Sequence, residues 1–240
     1  PRTLTWITVT LKPRCSNMTQ IKICGLKNVE DALAAANCGA DFLGIVFVPY
    51  SKRYLAPENA RNLIKTFKNS WVNESIPKWV GVFENQEIEG VNDILTHCDL
   101  DIAQLSGTET IEYCADVVKP VFKVTHISHD YSSAAQLDYV KSQLSIIQAN
   151  GHVPMLDTAV DGIRGGTGVT FDWDIAEELA KSHKLLIAGG LTPGNVGAAI
   201  DKIHPWGVDV SSGVENNGEK DSRMILNFIK NVQTMDKSRN

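Results

Sequence analysis

The chain lacks the features that mark several common functional classes. Its 240 residues contain no apolar run of 18 residues, so we expect no membrane-spanning helix. They contain no CxxC pair and no histidine or cysteine spacing typical of a metal site, so we expect no metal. The formal net charge is −5, which argues against a general nucleic-acid-binding protein, because such proteins need a basic surface.

The cysteine count also argues against a disulfide framework, because it is odd. The five are Cys15, Cys24, Cys38, Cys98 and Cys114. We interpret them as reduced thiols and expect a cytoplasmic protein, since disulfides are rare in reducing compartments. Residues 1–19 hold three basic side chains and no acid, a composition found in transit peptides. We favour a simple N-terminal extension, followed by one domain over residues 20–240.

From Ile21 onward one pattern repeats along the chain. A short run rich in β-branched residues is followed by a turn and then by a segment with helical spacing. The predicted strands are 20–24, 41–47, 78–83, 101–105, 120–124, 152–157, 184–188 and 206–210. The predicted helices are 29–38, 57–68, 87–97, 108–117, 133–148, 172–182, 193–202 and 219–232. Asn28 is predicted to cap the first helix, and Thr192 the seventh, with Pro193 in its first turn.

Eight consecutive βα units predict a single (β/α)8 barrel, the TIM-barrel fold, with parallel strands. Such barrels typically run to about 250 residues, which suits this length. The strands are rich in Val, Ile and Leu, as in parallel sheets that are covered on both faces. A doubly wound open sheet is the alternative. It would favour a GxGxxG turn after the first strand, where this chain has only Gly25.

Two residues that end predicted strands are candidates for proton transfer, because barrel enzymes keep their chemistry at the carboxyl ends of strands. Cys24 ends the first strand and Asp157 ends the sixth, on opposite sides of the barrel. A thiolate base needs positive charge nearby. Lys22, on the same strand face, is either that charge or one half of an ion pair with Asp209. From position alone, Cys24 is equally well a small buried hydrophobe and Asp157 a helix cap or an inner salt bridge.

Two glycine-rich loops follow the seventh and eighth predicted strands. They contain Gly189, Gly190, Ser211, Ser212 and Gly213. Barrels often bind phosphate here, because glycine lets backbone N–H groups approach an anion. Tight turns are the alternative, and the presence of two such loops favours phosphate. The loop 165–168 is predicted to close over a ligand. Arg53, in the loop after the second strand, could bind a carboxylate or an aromatic face, or it could be an exposed surface side chain.

Read together, these stretches resemble one family of barrel enzymes, the phosphoribosylanthranilate isomerases. The matching stretches are Lys22–Leu26, Ser51–Arg53, Val80–Asn85, Gly165–Gly168 with Phe171–Trp173, Ala188–Pro193 with Asn195–Val196, and Gly207–Glu215 with Gly218 and Lys220–Asp221. They span residues 20–232 in the right order. The spacing is most similar to that of the monofunctional fungal form.

The resemblance implies an enzyme of tryptophan biosynthesis. It would convert N-(5'-phosphoribosyl)anthranilate to 1-(2-carboxyphenylamino)-1-deoxyribulose 5-phosphate by an Amadori rearrangement. It implies Asp157 as the general acid that opens the furanose ring and Cys24 as the base that takes the C2' proton. Arg53 would contact the anthranilate, Asp209 a ribose hydroxyl or the intermediate, and the phosphate would lie on Gly190 and on Ser212 with Gly213. It implies no cofactor and a small phosphorylated substrate, and we expect a cytoplasmic monomer.

One position departs from the family pattern. The family usually has histidine after the fourth strand, in Gln-Leu-His-Gly, where this chain has Ser106. Serine is shorter than histidine and never cationic, so we expect activity to survive with weaker substrate binding.

Other functions stay open at this point. Indole-glycerol-phosphate synthase would need a catalytic lysine with glutamates, but the first strand offers Cys24 instead. A metal-dependent sugar-phosphate epimerase would need histidines at strand ends. A catalytically inactive barrel that only binds sugar phosphates or a protein is the non-enzymatic alternative. The presence of both Cys24 and Asp157 argues against it, whereas Ser106 favours it.

Overall fold

The computed structural model of the chain describes residues 18–128, 134–160, 163–164 and 173–239. Its main strands are β1 (Gln20–Cys24), β2 (Phe42–Val46), β3 (Lys78–Phe83), β4 (Ile102–Leu105), β5 (Val121–Ser128), β6 (Val153–Val160), β7 (Leu186–Ile187) and β8 (Gly207–Val210). The helices are α1 (Val29–Cys38), α2 (Pro57–Ser70), α3 (Ile88–His97), α4 (Ile111–Ala115), α5 (Ala134–Ala149), α6 (Trp173–Ala180), α7 (Val196–Ile203) and α8 (Ser222–Arg239).

The eight strands form one closed parallel barrel. Each strand pairs with its neighbour in sequence, and β8 returns to pair with β1. The order around the barrel is therefore the order along the chain, which confirms the predicted (β/α)8 fold. A two-residue strand, Ile163–Arg164, adds to β6 in the antiparallel sense. A second short pairing joins Glu215–Asn216 to Glu219–Lys220. None of the described helices is long and apolar enough to cross a membrane.

Local signals explain several element boundaries. The Asn28 side chain accepts a hydrogen bond from the Asp31 backbone N–H, as predicted for the cap of α1. Gly39 ends α1 in the left-handed region at φ 105°, where its own N–H bonds back to the helix. Pro57 lies in the first turn of α2, where its missing N–H costs no hydrogen bond.

The prediction for α7 was wrong at its start. We expected Thr192 to cap a helix from residue 193, but α7 begins at Val196. The Asn195 side chain accepts from the Thr192 backbone N–H at 2.8 Å and donates to the Gly190 carbonyl at 2.9 Å. These two bonds hold residues 192–195 as a turn and move the helix start by three residues.

Other predicted boundaries also moved. Helix α4 covers only 111–115 of the predicted 108–117. Thr110 is its N-cap, because the Thr110 side chain accepts a hydrogen bond from the Tyr113 backbone N–H. Helix α8 begins at 222 instead of 219, after the short pairing that ends at Lys220. Strand β5 runs on to residue 128, four residues beyond the predicted strand 120–124.

Two apolar layers fill the protein. The larger lies between the outer face of the strands and the surrounding helices, and contains Ile21, Leu43 and Phe228. The smaller fills the inside of the barrel, where Phe42 and Phe122 pack edge to face with ring centroids 5.3 Å apart. Because strand side chains alternate between the two faces, the next inward residues after this inner layer reach the carboxyl ends of the strands.

Candidate active site

Cys24 is buried at the carboxyl end of β1, with 6% of its surface exposed. It packs with Val46, Val48 and Val82 on the inside of the barrel. Gly44 on β2 makes room for it, because a Cβ there would lie only 2.9 Å from the Cys24 Sγ. The Ser211 hydroxyl donates to the Cys24 carbonyl at 3.2 Å, so the loop after β8 fixes the end of β1.

Lys22 and Asp209 form an ion pair on the same inward face as the thiol. The two residues are partners in the β1–β8 register, and the Lys22 Nζ lies 2.8 Å from the Asp209 Oδ1. Lys22 has no exposed surface and Asp209 is 7% exposed. Of the two roles that the sequence left open for Lys22, the ion pair with Asp209 is therefore present. The ammonium also lies beside Cys24.

These neighbours act on the thiol in opposite directions. Burial raises the pKa of Cys24, since it disfavours the charged form, and the ammonium of Lys22 lowers it. Burial prevails, so the pKa of Cys24 is raised from its ordinary value. For Lys22 itself, burial lowers the pKa, but the charges of Asp209 and Cys24 more than offset this and the pKa is raised. At neutral pH the site therefore holds an ammonium next to a protonated thiol.

Arg53 is held at the mouth of the site by Glu215. Its Nε and Nη2 donate to the two carboxylate oxygens of Glu215 at 2.7 and 2.8 Å, a bidentate pair. Lys220 donates to the same carboxylate at 2.7 Å and to the Ser211 carbonyl at 2.9 Å. The Lys220 side chain is only 3% exposed. Burial alone would raise the pKa of Glu215, but hydrogen bonds from Arg53 and Lys220 lower it to about 2.

The two glycine-rich loops meet after β7 and β8, next to the end of β1. Gly189 and Gly190 adopt φ values of 86° and 64°, a left-handed conformation that favours glycine. Residues Ser212–Val214 form a single 3-10 turn. A Cβ at Gly213 would lie 1.8 Å from the Leu191 carbonyl oxygen, so the backbones of the two loops touch.

Asp157 faces the same interior from β6. It continues the inward series of Val153 and Met155, which pack in the inner apolar layer, and it is half-buried. Its partner in the β5–β6 register is His126. Around the closed barrel, β6 lies three strands from β1, so Asp157 and Cys24 approach the central space from different sides.

The sequence matches the model of a known protein family. The family model described as N-(5'phosphoribosyl)anthranilate (PRA) isomerase matches residues 21–231. The chain belongs to the phosphoribosylanthranilate isomerase family.

Individual members of the phosphoribosylanthranilate isomerase family are similar over nearly the whole chain. The N-(5'-phosphoribosyl)anthranilate isomerase of Dehalococcoides mccartyi is 40% identical over 222 residues, which cover 92% of this chain and 99% of that protein. The crystal structure of the Thermotoga maritima isomerase is 36% identical, with a TM-score of 0.77, and covers 90% of this chain and 100% of its own. A further isomerase structure, in complex with reduced 1-(o-carboxyphenylamino)-1-deoxyribulose 5-phosphate, is 35% identical over 90% of this chain and 100% of its own, with a TM-score of 0.74.

The structure brings most of the predicted phosphoribosylanthranilate isomerase site together at one end of the barrel. Inward-facing strand residues and loop residues contribute to it: Cys24, Arg53, Asp157, Gly189, Gly190, Asp209, Ser211, Ser212 and Gly213. The loop 165–168, predicted to close over a ligand, lies outside the described residues, as do residues 1–17. In the described part of the chain, no group of three His, Cys, Asp or Glu side chains could hold a metal ion. The likeness to the monofunctional fungal form stays a prediction.

Sequence reasoning missed two contributors to this site. Glu215 and Lys220 were noted only as parts of a matching stretch, yet they hold Arg53 and the Ser211 loop. His126 was not among the predicted site residues. The alternation of Phe122, Val124 and His126 along β5 is the signal that could have placed it on the inward face.

Proposed function

We propose that Cys24 and Asp157 carry out the isomerisation of N-(5'-phosphoribosyl)anthranilate, the reaction for which this family is named, as general base and general acid. The observation that carries the proposal is the position of Cys24. It lies on the inward face at the end of β1, directly after a buried ammonium, with Asp157 approaching the same space from β6. An isomerisation needs an acid and a base that act on different atoms of one substrate, and this arrangement supplies both.

The proton transfers balance within the pair. The Asp157 carboxyl group gives its proton to the furanose ring oxygen, the C1'–O bond breaks, and a Schiff base forms. The Cys24 thiolate then takes the C2' proton to give an enolamine, which tautomerises to the ketone of the product. The chemistry needs the proton on Asp157 and off Cys24. Because burial raises the pKa of Cys24, the ammonium of Lys22 has to stabilise the thiolate whenever it forms.

The phosphate of the substrate is assigned to the two glycine-rich loops. Gly189 and Gly190 on one loop, and Gly213 on the other, have no Cβ to keep an anion from the backbone, and Ser211 and Ser212 add hydroxyl groups beside Gly213. Loops after the last two strands are the usual phosphate site in this fold. The substrate is then a phosphorylated small molecule, held by its phosphate beside β7 and β8.

Arg53 and Asp209 are assigned to the remainder of the substrate. Arg53 uses two of its five N–H donors on Glu215, which leaves three for the anthranilate. Asp209 uses Oδ1 on Lys22, so its other oxygen is the candidate for a ribose hydroxyl or for the intermediate. We further propose a cytoplasmic monomer, and light scattering on the purified protein tests the oligomeric state.

Complementation tests the reaction and both roles. The chain should restore growth without tryptophan to cells that lack this isomerase, whereas Cys24→Ala and Asp157→Asn should not. A general acid or base typically raises the rate about 10²–10⁴-fold, so the kcat of each purified variant should fall by at least about 10²-fold. Failure of the unsubstituted chain would contradict the function. Growth supported by Cys24→Ala would be consistent with the proposed reaction but would contradict the role of the Cys24 thiol as the base.

A further inference from the structure

His126 lies among the residues of the candidate site, although no role has yet been given to it. On β5, Phe122 and Val124 belong to the inner apolar layer of the barrel. Alternation along the strand therefore places His126 on the same inward face, one step nearer the carboxyl end. It is half-buried, and its register partner on β6 is Asp157. Neighbouring strands are about 4.8 Å apart, so the imidazole is close to the proposed acid.

One nitrogen of the ring is already engaged. The His126 Nε2 lies 2.8 Å from the backbone carbonyl oxygen of Ser106, the residue directly after β4. A carbonyl can only accept, so Nε2 carries a proton and donates it. This bond turns the ring toward β4 and away from the phosphate loops beside β7 and β8. In the described part of the chain Nδ1 has no partner, so it is the nitrogen that a ligand can reach.

The position of the ring matches one end of the proposed substrate. The phosphate is assigned to the loops after β7 and β8, and the reacting carbons lie between Cys24 and Asp157. The other end of the molecule then extends toward β3, β4 and β5. This end is the anthranilate, an aromatic ring with a carboxylate. The inward series continues with Val82 and then Glu84 from β3, and with Gln104 and then Ser106 from β4, so none of these side chains is a cation that could hold a carboxylate.

We propose that His126 is a further substrate-binding residue, which holds the anthranilate carboxylate through Nδ1. The inference rests on the proposed function. With Nε2 fixed on Ser106, a carboxylate beside Nδ1 favours a second proton on the ring, because opposite charges attract. The imidazolium then donates a charge-assisted hydrogen bond, the stronger class of such bonds. His126 thus binds the substrate and takes no part in the proton transfers.

Two substitutions separate this role from a structural one. In His126→Gln the side-chain amide reaches the position of Nε2 and can keep the bond to Ser106, but nothing replaces Nδ1. In His126→Asn the amide lies near the position of Nδ1 and the bond to Ser106 is lost. We expect His126→Gln to raise KM about tenfold or more, with kcat within about twofold of the unsubstituted enzyme, and His126→Asn to raise KM less. His97→Gln is the matched control, since His97 is exposed on α3 and bonded to Glu58.

Binding measurements identify the end of the substrate that is affected. Reduced 1-(o-carboxyphenylamino)-1-deoxyribulose 5-phosphate should bind His126→Gln about tenfold or more weakly, and inorganic phosphate should bind unchanged. A larger KM increase in His126→Asn than in His126→Gln would overturn the proposal. Equal KM values in both variants and in the His97→Gln control would overturn it as well. Those outcomes leave the proposed function intact if the unsubstituted enzyme turns over its substrate. An unsubstituted enzyme without turnover contradicts both.

Discussion

The Lys22 ammonium and the Asp209 carboxylate lie 2.8 Å apart, with almost no exposed surface, directly before the Cys24 thiol on the inward face of β1. Removing either charge from such a buried pair leaves the other one unpaired, which costs far more than the pair itself contributes. The Lys22 ammonium therefore has two effects: it stabilises the barrel as one half of the pair, and it favours the thiolate form of Cys24.

We expect Lys22→Met to destabilise the protein and to raise the pKa of Cys24 further. Loss of one partner of a buried pair costs about 3–5 kcal/mol of unfolding free energy. The thiol also loses the ammonium that lowers its pKa. Urea unfolding measures the first effect, and the pH dependence of alkylation, with Cys24→Ser as the blank, measures the second. The double variant Lys22→Met/Asp209→Asn should recover part of the stability, and no recovery would argue against the pair.

Stability at alkaline pH should depend on Cys24. Its pKa in the folded state is raised by burial, so the thiol stabilises the fold fully below the pKa of the unfolded chain. That contribution is lost as the pH rises through the folded-state pKa. The loss has a slope of at most about 1.4 kcal/mol per pH unit. Unfolding free energies measured from pH 8 to 11 should fall more steeply for the unsubstituted enzyme than for Cys24→Ser, and parallel curves would contradict the shift.

The barrel could be predicted from the sequence because the signals for its strands and helices are local. Each strand carries its own β-branched run, and each helix its own spacing, so eight units could be counted without knowing any contact. The start of α7 shows the limit. Thr192 with Pro193 and Asn195 are both valid start signals, three residues apart. The bonds from Asn195 to Thr192 and Gly190 decided between them. Nothing in the local sequence ranks those bonds above the alternative.

The site was predictable to the same extent. Position at a strand end picked out Cys24 and Asp157, and the glycine spacing picked out the loops after β7 and β8. The Arg53–Glu215 pair was out of reach, because it joins residues 162 positions apart across a barrel whose register the sequence does not give. The short length of α4 was out of reach for the same reason. Glu109 lies inside the predicted fourth helix, but its carboxylate accepts from Asn85 and Gly107 instead.

Glu215→Gln should remove an acid-sensitive part of the stability. The pKa of Glu215 is lowered to about 2 from an ordinary 4.5, because hydrogen bonds from Arg53 and Lys220 outweigh its burial. The contribution is present above pH 4.5 and is lost as the pH falls toward 2. The difference in unfolding free energy between pH 5 and pH 3 should therefore be smaller in the variant. Glu219→Gln is the control, since that side chain is 69% exposed, and it should behave as the unsubstituted enzyme does.

Ser106→His should strengthen substrate binding. Ser106 is the next inward residue after Gln104 on β4, one strand from His126, and its hydroxyl accepts a bond from Gln104 at 3.2 Å. An imidazole there adds a longer donor facing the proposed anthranilate end. We expect KM to fall while kcat holds. Unchanged kinetics would show that the position has no part in binding.

Gly213→Ala should damage the proposed phosphate site while leaving the barrel intact. The new Cβ would lie 1.8 Å from the Leu191 carbonyl oxygen, which is backbone and cannot swing aside, so one of the two loops must move. A shift of about 1 Å in a positioning group can cost up to about 10²-fold, and we expect KM to rise at least about tenfold. Gly194→Ala is the matched control, because its Cβ meets nothing nearer than the Thr192 hydroxyl at 3.7 Å. Inorganic phosphate should inhibit the Gly213→Ala variant more weakly than the control. Equal inhibition of the two would place the phosphate elsewhere.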